Sequence, residues 1–190
     1  IFSQRKDAMD SEKIFDYSDN FLSEILDNMI SLKIQKLSNP RNNEFSNRLK
    51  TIFGKSLNDD EYDEIISLSD TKLRERIFEK FKFAREERSK ILGENQSKEI
   101  EKRILLQSID FNWKSHIQYL EQLRQVVGLR SYGQRDPLIE YKKEAFDLFS
   151  NLLDKLKLDY VKILMNLKVY NEPTEEINQR QLKEKFKNLG

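Results

Sequence analysis

The sequence predicts an all-α protein, a small helical module followed by a long antiparallel two-helix hairpin. Three observations lead there. Five glycines and three prolines in 190 residues leave few interruptions. Leu, Lys, Glu, Arg and Gln, all good helix formers, dominate, while the β-branched alternation that strands need is scarce. Two stretches in the second half carry apolar residues every three or four positions over unusually long spans.

Taken in order, residues 1 to about 16 read as the end of a helix carrying Phe2, Met9 and Phe15. A second helix, over about 18 to 37, spaces Phe21, Ile25, Met29 and Leu32 by three and four, with Ser18 as its cap and Asn39-Pro40 as its stop. A short helix around 43 to 53 ends at Gly54. Asn58-Asp59-Asp60 reads as a turn and cap for a helix over 60 to 67. Ser69 or Asp70 then opens a longer helix with Leu73, Ile77, Phe81 and Ala84 on one face, closing near Gly93. Residues 18 to 93 thus look like a self-contained helical module.

From about residue 97 the pattern lengthens, with Leu106, Ile109, Trp113, Ile117, Leu120, Leu123 and Val127 forming one stripe. Leu138, Tyr141, Ala145, Phe149, Leu152, Leu156, Tyr160, Ile163 and Leu167 form another. Two helices of about 30 residues run roughly 45 Å each, and a loop of about ten residues folds them back antiparallel. The tail after Asn171-Glu172-Pro173 is polar and charged.

The bulk composition excludes several functions. Thirty-four basic against thirty-three acidic side chains leave a net charge of +1, which argues against a dedicated nucleic-acid binder. With no cysteine and one histidine, His116, neither a thiol nucleophile nor a Cys- or His-rich metal site can be built, and no metal is expected. No apolar run approaches the roughly 18 residues a membrane-spanning helix needs. No phosphate-cradling Gly-x-x-x-x-Gly-Lys-[Ser/Thr] stretch is present. His116 reads as structural or surface, Trp113 as packing, and Arg85-Glu86-Glu87-Arg88 as a solvated helix face. The chain begins at Ile1 rather than Met, so it is expected to be part of a longer protein.

The loop "LRSYGQRDP", Leu129 to Pro137, stands apart. Gly128 and Gly133 supply backbone freedom, and Asp136-Pro137 restarts a helix with a capping side chain and a proline at its first position. Arg130, Tyr132, Gln134 and Arg135 are not needed for turning. Either Tyr132 packs down on the helix pair while the arginines cap carbonyls, or the tip is exposed and presents a π-face and cations to another polypeptide.

The residues that decide between these readings also carry a resemblance. Trp113, Lys114 and His116, then Leu123 and Arg124, lead into Leu129, Arg130, Tyr132, Gln134, Asp136 and Pro137. Glu140, Tyr141, Lys142, Glu144 and Phe146 follow. This ordered pattern resembles the two-helix finger of SecA, the motor ATPase family of bacterial preprotein translocation. "IFSQRKDAMD" (Ile1 to Asp10) is similar to the end of that family's long scaffold helix, and "LRERI" (Leu73 to Ile77) to its helical wing. Ser131 stands where the family commonly has Gly, Gly133 where it has Ala, and Leu120-Glu121 replaces a Met-Asp pair.

The resemblance implies a C-terminal fragment divided into a scaffold-helix end (1–17), a wing (18–96), a finger (97–170) and a polar tail or further scaffold helix (171–190). It implies that the finger contacts the unfolded preprotein and the mouth of the SecY channel through Tyr132, Arg130, Gln134, Arg135 and Leu129. Gly128, Gly133, Asp136 and Pro137 shape the loop. The rest of the SecA motor is the other implied partner, with a location at the cytoplasmic face of the inner membrane. No catalytic residue or cofactor is expected within these residues, since ATP and Mg are bound by domains the chain does not contain. The competing reading is a non-catalytic helical module that binds a partner protein along its stripes.

Overall fold

The computed structural model describes residues 13–38, 43–54, 57–128 and 136–169. Six helices and no strand occur among them: α1 (Ile14–Ser38), α2 (Glu44–Phe53), α3 (Asp59–Ser67), α4 (Asp70–Leu92), α5 (Glu94–Val127) and α6 (Pro137–Asn166). The protein is all-α, and the helix order follows the apolar periodicity closely.

The boundaries have local causes. At α3, Asn58 Oδ1 accepts from the Glu61 backbone N–H at 2.8 Å, and the Asn58 N–H donates to Glu61 Oε2 at 3.1 Å, a reciprocal capping box. Lys80 donates to the other Glu61 oxygen at 2.6 Å; that bond and the one from Asn58 hold the Glu61 carboxyl below its ordinary range. α2 ends where Gly54 takes a φ of 52° and its N–H returns to the Lys50 carbonyl. A Cβ there would also lie 3.0 Å from Asn166 Oδ1, because the end of α6 closes on that turn, with Asn166 Nδ2 donating to the Ile52 carbonyl. Only Gly93, at φ 84°, separates α4 from α5.

All six helices supply side chains to one apolar cluster, including Leu22, Leu49, Ile65, Phe81, Leu105 and Leu164. Each such side chain, fully buried, contributes about 1.5–3 kcal/mol. On α5 the cluster reaches no further than Ile109, and on α6 it begins only at Leu156. Leu123, Val127 and Leu152 are buried outside it, in the seam between the two long helices.

Four sequence expectations are corrected here. Ser18 is not a cap: α1 runs through it, and its Oγ lies 2.9 Å from the Ile14 carbonyl one turn back in the same helix. Arg85 and Arg88 are not a solvated face, being 8% and 2% exposed, while Glu86 and Glu87 between them do face water. The seam of α5 is shifted from the apolar stripe. Leu105, Ile109, Asn112, His116, Leu123 and Val127 are buried, whereas Ile117 is exposed and Trp113 and Leu120 are half-buried. On α6 the inward side chains near the end are Tyr160, Val161, Leu164 and Met165, with Ile163 outside.

Candidate functional site

The hairpin has a free end, a seam and a base. At the free end, the backbone N–H of Gly128 returns to the Val126 carbonyl, and nothing lies within 4 Å of where its Cβ would be. The chain resumes at Asp136, whose carboxylate accepts from the Leu138 N–H at 2.8 Å while Pro137 occupies the first turn. The Asp-Pro restart read from the sequence is therefore present. Leu129, Arg130, Tyr132, Gly133, Gln134 and Arg135 lie outside the described residues. At the free end Val126 and Ile139, which the sequence reading missed, are exposed, and so is Leu138, which it had placed in the apolar stripe of the second long helix. The signal that could have found Val126 and Ile139 is an apolar residue off the seam at a helix end. Phe146, two turns further along α6, is 73% exposed.

Along the seam, partners climb α5 as they descend α6. Asn112 Oδ1 accepts from Lys155 Nζ at 3.1 Å, and the His116 ring sits 5.8 Å from that of Phe149, so the helices are antiparallel. The Trp113 ring lies 5.5 Å from that of His116. Burial pushes the His116 imidazole below its ordinary value, which favours the neutral ring in this apolar seam. Phe111, His116, Tyr119, Leu152 and Lys155 line a groove of about 320 Å³ on one flank. No cluster of metal-ligating side chains occurs among the described residues.

The base is held by charge. Glu101 of α5 is fully buried. Its Oε1 accepts from Arg85 Nε at 3.1 Å and from an Arg88 guanidinium nitrogen at 2.8 Å. Its Oε2 accepts from Ser18 Oγ at 2.7 Å and from a second Arg85 nitrogen at 3.4 Å. Arg85 continues to Asp19 at 2.9 Å and lies over the Phe15 ring, while Arg88 donates to the Leu164 carbonyl at 2.8 Å. The Tyr160 hydroxyl is 2.7 Å from Ser18 Oγ, and burial, reinforced by the Glu101 charge, drives its pKa far upward. Two guanidinium groups and two carboxylates balance, so the cluster carries no net charge into the core.

The family model for the SecA wing and scaffold domain matches residues 1–168. The chain belongs to the SecA wing and scaffold family. It is 63% identical over 184 residues to the protein translocase subunit SecA of Pelagibacter ubique (strain HTCC1062), covering 97% of this chain and 22% of that protein. It is 33% identical over 177 residues to the protein of the same name from Caulobacter vibrioides (91% of this chain, 19% of that protein). The Hyphomonas neptunium counterpart is 31% identical over 182 residues (94% and 20%). The chain spans about a fifth of the length of these SecA relatives. No helix among the described residues is long and apolar enough to cross a membrane.

Proposed function

We propose that this chain is the wing-and-finger portion of a SecA-type motor that moves unfolded preproteins through the SecY channel from the cytoplasmic face of the inner membrane. Residues 18–96 are the wing and 97–170 the finger. The observation that supports this reading is the antiparallel pair α5–α6, which extends past the shared core, with Gly128 and Asp136 at its free end. From Asn112 to Val127 the arm is about 24 Å long at 1.5 Å per residue, stiff enough to transmit displacement from its base. Tyr132 contacts passing side chains through ring and hydroxyl without demanding a particular sequence. Arg130, Arg135 and Gln134 meet backbone carbonyls or acidic channel loops, and Leu129 adds apolar contact. The exposed Val126, Leu138 and Ile139, at the ends of α5 and α6 that flank the loop, suit an unfolded chain. ATP and Mg act elsewhere in the motor, and this portion contributes no nucleotide chemistry.

The experiment is Tyr132→Ala in the full-length motor, with transport into inverted membrane vesicles as readout. Transport slows by about ten-fold, equivalent to about 1.4 kcal/mol, while helicity is unchanged. A normal rate would sink the tip-contact reading. The competing reading, a helical module docking partners along its sides, predicts instead that substitutions at exposed Ile117 and Phe146 are the damaging ones.

A further inference from the structure

We propose that Glu101 is the positioning residue of the hairpin, fixing the angle at which α5 and α6 leave the helical base. The inference concerns the base alone and stands whether or not the tip contacts a preprotein. The covalent connection between α4 and α5 does not set that angle. It is the single residue Gly93, whose N–H bonds back to Ser89 of α4 and whose carbonyl accepts from Ser97 of α5, with nothing within 4 Å of where its Cβ would be, so neither bond ties the two helices to each other. The constraint comes one or two turns away. Arg85 and Arg88 of α4 converge on the carboxylate of Glu101, which lies in the second turn of α5. The same carboxylate takes the Ser18 hydroxyl of α1, and Ser18 in turn meets Tyr160 of α6. Arg88 also reaches the Leu164 carbonyl of α6 directly. The network centred on Glu101 thus ties four helices together.

Apolar packing around it, as between Phe81, Leu105 and Leu164, would tolerate small rotations of one helix against another. A carboxylate shared between two guanidinium forks does not, because each bond has a direction and an unpaired buried charge is costly. The network therefore specifies a pose rather than merely adding cohesion.

The test exploits the absence of cysteine. In the full chain, Lys82→Cys on α4 and Gln122→Cys on the arm, both exposed positions, are spin-labelled, and the distance between them is read by pulsed electron resonance. Gln122 lies about 30 Å along α5 from Glu101, so about 10° of added freedom at the base spreads the distance by about 5 Å. The variant that separates positioning from cohesion replaces Arg85 and Arg88 with Met and Glu101 with Leu. It keeps its melting temperature but shows the broadened distribution. An unchanged distribution in the folded triple variant overturns the proposal. Should that variant not fold, Glu101→Gln is read in the same way, with broadening expected and an unchanged distribution overturning. Loss of the fold in both also overturns it, since the cluster would then be cohesion alone.

Discussion

Glu101→Ala probes the buried network most sharply through stability. The substitution removes the acceptor of four hydrogen bonds, three of them from guanidinium groups. Arg85 keeps Asp19 at 2.9 Å and its position over the Phe15 ring, so part of its charge stays compensated. Arg88 is worse placed: it is 2% exposed, and its remaining partner is the Leu164 carbonyl, a neutral acceptor. Breaking a buried pair by deleting one partner costs about 3–5 kcal/mol, and the Arg85–Asp19 contact argues for the lower half of that range. For a protein of this size each kcal/mol lowers Tm by about 2–4 °C, so a drop of about 6–16 °C is expected. Thermal unfolding followed by far-ultraviolet circular dichroism measures it. A loss under about 1 kcal/mol, the value of an exposed ion pair, would refute the argument that the charges are desolvated.

Two further outcomes follow from the arm. The folded-state pKa of His116 lies below its unfolded value, so the unfolded chain binds more protons and stability rises with pH. That stability is present above about pH 6.5 and is lost progressively as pH falls below it, and His116→Phe flattens the slope of Tm between about pH 7 and pH 5. At the free end, Asp136→Ala removes the cap on the Leu138 N–H and costs about 1 kcal/mol, seen as faster amide exchange at the start of α6 with the base unaffected.

The fold was legible because most helices announce themselves by local chemistry. Asn58-Asp59-Asp60 wrote the start of α3, Gly54 and Gly93 wrote ends that need positive φ, and Asp136-Pro137 wrote the start of α6. Ser18 misled because a serine ahead of an apolar run looks the same whether it caps a helix or sits inside one with its hydroxyl turned to a buried carboxylate. The seam of α5 was displaced because an apolar pattern gives no weight to Asn112 and His116, which are buried by virtue of partners on α6. Arg85 and Arg88 were hidden for the same reason. A charge run with i, i+3 spacing looks solvated until the carboxylate that meets it, sixteen and thirteen residues away, is brought in by the turn at Gly93. Of the candidate site, Asp136 and Pro137 sit as their residue types require, whereas Gly128 takes ordinary helical angles (φ −60°, ψ −29°) open to any residue, and the tip residues fall outside the described segments.

Contact between the loop and a moving polypeptide is tested most directly by a photo-reactive amino acid at position 132 of the full-length motor, illuminated during transport of a stalled preprotein. The account predicts adducts to the preprotein that require ATP and exceed those from the same group at Gln118 on the exposed side of α5. Equal labelling from both positions, or none from position 132, would contradict it.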